Sequence, residues 1–334
     1  MKSQAERERE LITSGMYASI KGLFANTRHN IPDRYFMLMA DYIDSVSEVQ
    51  ESLFVNPQEL ARLLPKLVTS VQEGNIGVYG RTDGTAITMN SNLGYEANKL
   101  YFFHELTHAL QTRGNNCSFA NGKNGMFLAE GATQYTAEIL YHVSNGTNIN
   151  YRNQYNTVRG HSEHTCYSPL SEYQLNGNIL FLMSQAMGVP MNKLLGAGFN
   201  PNGRESMKQR YESIPGNEGK FEELMNDLEK VYAIDKCIIA GYGRQLSGPP
   251  VNITMENGEV FRGNIQTQGE LINKVEQDLA LNYLMNHDQN YIVNNYQNFA
   301  RCLTTPQLQQ NFIKTVQNIY GVSQTVQPRD MSRR

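Results

Sequence analysis

The chain has 334 residues, a net charge of −3 and four cysteines. That length can bury a large core, with room for one catalytic region and a smaller appended unit. The near-neutral balance excludes the broad basic surface of a nucleic-acid-binding protein, the short Ser332-Arg333-Arg334 tail aside, and no stretch approaches the roughly 20 apolar residues of a membrane span.

The amino terminus, Met1 to Glu10, is densely charged and opens an amphipathic helix instead of the apolar region of a secretory signal. Cys117, Cys166, Cys237 and Cys302 form no C-x-x-C pair, which fits free thiols in a reducing compartment. The expected location is the cytoplasm, or export without a classical signal peptide; the oligomeric state stays open. Residues 5 to 73 read as mostly helical, with Ile31-Pro32-Asp33 opening one helix and Asn56-Pro57-Gln58 another. Ile76 to Asn90 then alternates like a strand about Asp83-Gly84, which predicts a β-hairpin.

The next segment, Tyr101-Phe102-Phe103-His104-Glu105-Leu106-Thr107-His108-Ala109-Leu110, holds an H-E-x-x-H pattern. Phe102, Leu106 and Ala109/Leu110 recur at helical spacing, and Gly114-Asn115 supplies a stop. Side chains four apart share one helix face, so His104 and His108 can grip one ion. Glu105 sits one residue further round, where it can reach a water but is poorly placed as a ligand; it is the natural general base. A catalytic zinc site takes three protein ligands and keeps a position open for water, so a third ligand is needed. The H-x-x-G-x-x-H continuation of metzincins is absent, since Gln111-Thr112-Arg113 follows and no histidine recurs before His142.

Met126 to Tyr141 reads as a second helix, with apolar residues at 128, 132, 135, 139 and 140. It contains Glu130-Gly131-Ala132-Thr133-Gln134-Tyr135. Over about residues 75 to 190 this pair of helices resembles the gluzincins, the thermolysin-like and aminopeptidase-like zinc peptidases, in which the third ligand often opens a Glu-Gly-x-x-x-Tyr segment. The resemblance implies Zn²⁺ bound by His104, His108 and Glu130. Ala129, Gly131 and Ala132 would let helices approach closely around that carboxylate. Glu138, two turns on, is the competing ligand, or else a group that orients a histidine or an ordinary paired helix residue. The thermolysin pattern has a histidine-orienting aspartate four residues after the ligand, where this chain has Gln134. In such proteins the strand before the zinc helix can pair with an extended peptide substrate. No Gly-Ala-Met-Glu-Asn-like segment precedes His104, which points away from an aminopeptidase and toward an endopeptidase.

The resemblance also implies an oxyanion donor, tyrosine or histidine. Candidates crowd the segment after the second helix: Tyr151, Tyr155, Arg159, His161, His164 and Tyr167, with His164 and Tyr167 ranked first as nearest the next helix, and Tyr173 on that helix as a further candidate. His161, His164 and Cys166 are close enough in sequence to suggest a second metal site. A helix from Pro169 to Met187, a short one from about Pro190 to Leu195 and an amphipathic one from Lys220 to Tyr232 follow. Glycine and proline concentrate at 241–250, where a linker is expected. Beyond it come a hairpin with an Asn257-Gly258 turn, helices over about 268–286 and 305–320, and a tail from 321.

The expectation is thus an α+β, zincin-like fold, mainly helical with a small hairpin or sheet beside the active-site helix. Residues 1–240 form the catalytic domain, 251–320 a smaller α/β region, and 321–334 a tail. The expected function is a zinc-dependent peptidase acting on a peptide or protein substrate, with His104, His108 and Glu130 on the metal, Glu105 as base, and His164 and Tyr167 as further catalytic candidates. The alternative is a zinc-containing regulatory or interaction protein with little or no turnover.

Overall fold

A computed structural model describes residues 2–114, 116–122, 124–147 and 173–322, and these are mainly helical with small sheets. Helices α1 (Gln4–Thr13), α2 (Met16–Leu23), α3 (Asp33–Leu53) and α4 (Pro57–Leu67) come first. Asn56 caps α4, its side chain accepting from Gln58 and Glu59 N–H, ahead of a proline at the first helical position. The expected helical start therefore extends to 67 and no further. Strand β1 (Ser70–Gly74) follows, and it pairs parallel with β3 (Ala86–Asn90). Its stability comes from that partner and from burial of Val71, which a local reading of residues 70–74 cannot see. Strand β2 (Gly80–Asp83) pairs antiparallel with β3, giving the order β1-β3-β2 with β2 at the edge.

Helix α5 (Tyr95–Gln111) carries the H-E-x-x-H segment and α6 (Met126–Ser144) carries Glu130. Between them lies a short meander, β4 (Thr112–Arg113), β5 (Asn116–Cys117) and β6 (Ala120–Asn121), so α5 ends three residues before the expected glycine stop. Helix α5 is buried nearly all round from Lys99 onward instead of along one stripe. The reason is α3: Tyr42 packs edge-on against Phe103 and shares a hydrogen bond of 2.9 Å with Thr107.

One buried joint fixes how these helices cross. Asp41 on α3 accepts from Arg7 Nε of α1 and pairs with Lys99 Nζ of α5, each at 2.7 Å, and it also accepts from Ser144 at the end of α6. Lys99 donates to Ser144 and Asn145 as well. Ions buried this deeply are tolerable only when paired and hydrogen-bonded. The arrangement clamps the far ends of α5 and α6 to α3, leaving their metal-facing portions in fixed relation.

The chain continues with α7 (Gln174–Met187), α8 (Met191–Ala197), α9 (Gly203–Glu212) and α10 (Phe221–Cys237). Helix α10 runs five residues past its expected end at Tyr232, then into a π-helical turn (Ile238–Tyr242) and α11 (Gly243–Leu246) within the glycine-rich stretch. Strands β7 (Val251–Thr254) and β8 (Val260–Gly263) form the second hairpin, and α12 (Ile265–Asn286), α13 (Gln289–Ala300) and α14 (Pro306–Tyr320) complete the described chain. One apolar cluster runs from Ile20 to Val316 and includes Val275, Leu279, Tyr283 and Phe299, so the late helices share a core with α5, α6 and α7. A small separate cluster, Ile234, Leu246, Ile253 and Met255 among its members, sits under the second hairpin. Among the described residues no helix is long and apolar enough to cross a membrane.

Candidate metal centre

One turn of α5 puts His104 and His108 side by side, and α6 crosses so that Glu130 faces both. His104 Nε2 and His108 Nε2 are 3.0 Å apart, and Glu130 Oε2 is 3.3 Å from the first and 3.2 Å from the second. All three groups are at least nine-tenths buried. Two imidazoles and a carboxylate converge with one atom each, so this trio could hold a metal ion. Glu138, the competing carboxylate, is elsewhere: it is buried on the same helix and accepts from Gln134 Nε2 at 3.1 Å.

The electrostatics match the geometry. Burial alone would push Glu130 up, but the neighbouring histidines, His108 foremost, overcome it and hold the carboxyl well below its ordinary range. Burial likewise works to lower His108, yet the facing Glu130 charge raises it well above the usual imidazole value. The two groups thus favour each other's charged forms at the point where the three atoms converge.

The outer atoms of these groups are held from behind. His108 Nδ1 lies 3.3 Å from Thr133 Oγ1, which in turn donates to Gln111 Oε1 at 3.0 Å, and Cys117 Sγ lies 3.5 Å from the same ring nitrogen. In the tautomer that leaves Nε2 free for a cation, Nδ1 carries the ring proton and donates. Glu130 Oε1 accepts from the Tyr232 hydroxyl of α10 at 3.4 Å. Burial, followed by the Glu130 charge, pushes that phenol far up, which keeps it a donor. His104 differs: among the described residues its buried Nδ1 has no hydrogen-bond partner, and its ring stacks on Tyr173 at 5.6 Å and 8°. The Gln134 amide, where the thermolysin pattern has its aspartate, donates to Glu138, and among the described residues its own Oε1 has no partner.

Glu105 points to the edge strand. Thr82 Oγ1 donates to Glu105 Oε2 at 2.7 Å, and Gly80 leaves room, since a Cβ there would fall 2.7 Å from Glu105 Cγ. The glycine in Glu-Gly-x-x-x-Tyr also serves a close approach, but of α7 and not of α5. A Cβ on Gly131 would meet Asn176 at 2.9 Å, whose side chain donates to Phe127 O.

An open cleft of about 500 Å³ runs over the three converging groups and Glu105. One wall is the β2 edge with the stacked Tyr79–Tyr101 pair, rings 4.2 Å apart; Tyr173, Cys117 and Lys236 line other parts. His164 and Tyr167, with Tyr151, Tyr155, Arg159, His161 and Cys166, lie outside the described residues. Thr82, Thr133, Cys117 and Tyr232 were not singled out as site residues by the sequence. Thr133 could have been, because it falls three residues after Glu130 and so faces the same neighbour. Tyr232, 102 residues from Glu130, left no local signal. No protein-family model, curated protein or solved structure matches the chain.

Proposed function

We propose that this chain is a zinc-dependent peptidase built on a zincin-like arrangement, and probing its cleft with extended peptides follows from that reading. The observation that carries it is the convergence of His104, His108 and Glu130 beside a glutamate tethered at the cleft edge. Zinc bonds of about 2.0–2.1 Å to nitrogen and oxygen, arranged tetrahedrally, separate ligand atoms by about 3.3 Å. The atoms here stand 3.0 to 3.3 Å apart, a spacing that supports an ion of that size at the trio. Bound there, Zn²⁺ supplies Lewis acidity that polarises a carbonyl and acidifies water.

The chain's own residues do the rest. Glu105 takes a proton from the attacking water at its carboxylate and hands it to the leaving amine as the carbon–nitrogen bond breaks. Thr82 holds that carboxylate toward the cleft. Tyr173, which lines the cleft beside His104, is the described residue best placed to donate to the oxygen that gains charge. In the β1-β3-β2 sheet the outer edge of β2 borders the cleft and can receive an extended peptide by main-chain pairing, which suits an endopeptidase.

The test is digestion of a peptide library read by mass spectrometry. Internal cleavage that a chelator abolishes, that added zinc restores, and that Glu105→Gln eliminates while keeping its zinc supports the proposal. Turnover by the Glu105→Gln variant overturns the assignment of the base, and zinc binding with no cleavage of any peptide favours an interaction protein on the same scaffold.

A further inference from the structure

Helix α10 grips α6 at two points one turn apart on each helix. Glu229 Oε1 accepts from Phe127 N–H at 2.9 Å, capping an α6 start whose own N-cap, Gly125, offers no side chain. One turn further along both helices, the Tyr232 hydroxyl reaches Glu130 Oε1 at 3.4 Å. The spacing is matched, 229 to 232 against 127 to 130, so the two contacts fix both the position of α6 along its axis and the rotation of the Glu130 carboxyl. Tyr232 is 3% exposed and is not among the described residues that line the cleft, whereas Tyr173 is.

We infer that α10 is the third side of the metal site and that Tyr232 is a positioning residue, holding Glu130 Oε1 so that Oε2 alone is presented to the metal between His104 and His108. This rests on the zinc-site reading above. A carboxylate with both oxygens free can swing to offer either or both; a donor on one oxygen removes that freedom and presets the site. The role belongs to the hydroxyl and not to the ring, which fills the core whether or not oxygen is attached.

The experiment is zinc titration of the full chain against a chromophoric chelator, comparing wild type, Tyr232→Phe and Tyr283→Phe. Tyr283 is a fully buried tyrosine on α12 whose ring packs against His287, Tyr291, Phe299 and Phe312, so its variant controls for loss of a buried hydroxyl. The expected result is a 10- to 100-fold weaker zinc affinity for Tyr232→Phe. Tyr283→Phe should match wild type, and metal-free thermal unfolding should show Tyr232→Phe folded. Cobalt substitution adds a signature that simple loosening of the fold would not give: the d–d absorption of Tyr232→Phe should weaken as the freed carboxylate adds its second oxygen. Equal zinc affinity and an unchanged cobalt spectrum would overturn the inference while leaving the zinc site standing. Failure of the wild type to bind zinc would remove the site and the inference together. If Tyr232→Phe does not fold, X-ray absorption at the zinc edge of wild type decides: one carboxylate oxygen in the first shell supports the positioning role, and two overturn it.

Discussion

The hydroxyl of Thr82 donates to Glu105 Oε2 at 2.7 Å, tying the edge strand β2 to the carboxylate assigned as general base. The same hydroxyl lies 3.1 Å from the Glu105 carbonyl oxygen, so strand and helix are joined at one point on the cleft rim. A substrate pairing along β2 would therefore lie against the base by construction.

Replacing Thr82 with valine keeps the shape and the strand preference and deletes the donor. A hydrogen bond to a charged group is worth about 1.5–3 kcal/mol, so kcat should fall roughly ten- to hundredfold. Zinc content should stay at the wild-type level, because Thr82 touches none of the three ligands. Steady-state kinetics alongside metal analysis reads both; an unchanged kcat would mean that Thr82 does not position the base.

Among the described residues Asp41 is the buried anion that pairs with both Arg7 and Lys99, and both it and Lys99 are 2% exposed. Asp41→Asn keeps the volume but takes from buried Lys99 its anion at 2.7 Å, while Arg7 keeps Asp44 at 2.8 Å. The expected loss is about 3–5 kcal/mol of unfolding free energy. Denaturant melts with an unchanged slope should show it as a lower midpoint, and a loss under about 1 kcal/mol would show that the joint between α1, α3, α5 and α6 does not hold them together.

Glu276 gives the fold a pH dependence. Burial in α12 pushes its carboxyl up from 4.5 to about 8, even though Thr304 N–H and hydroxyl donate to it and pull the other way. The folded state thus binds this proton more tightly than the unfolded chain, and the associated stability is full below about pH 4.5 and is lost as pH rises toward 8. Glu276→Gln, neutral throughout, should flatten that part of the melting temperature profile. A profile of unchanged slope between those limits would show that Glu276 is not the group responsible.

Much of the site was legible because its signals are local. Helices α5 and α6 announce themselves by apolar spacing, the β2–β3 hairpin by alternation about Asp83-Gly84, and the grip of His104 and His108 by a four-residue interval. Glu130 follows from the resemblance, and the structure brings it to the histidines while Glu138 stays with Gln134. What stayed hidden depends on partners far along the chain. Strand β1 exists through β3, the all-round burial of α5 through Tyr42 of α3, and the orientation of Glu130 through Tyr232 of α10. The meander that returns Cys117 to His108 is too short to leave a periodic mark, whereas helix α13 carries one in Ile292, Tyr296, Phe299 and Ala300, set among Asn and Gln residues that obscure it.

Elemental analysis of the purified chain reads the proposed zinc site of His104, His108 and Glu130 without intermediaries. A single zinc per chain, removable by chelator and lost on Glu130→Ala, is expected; protein that stays zinc-free after incubation with excess zinc would contradict the site.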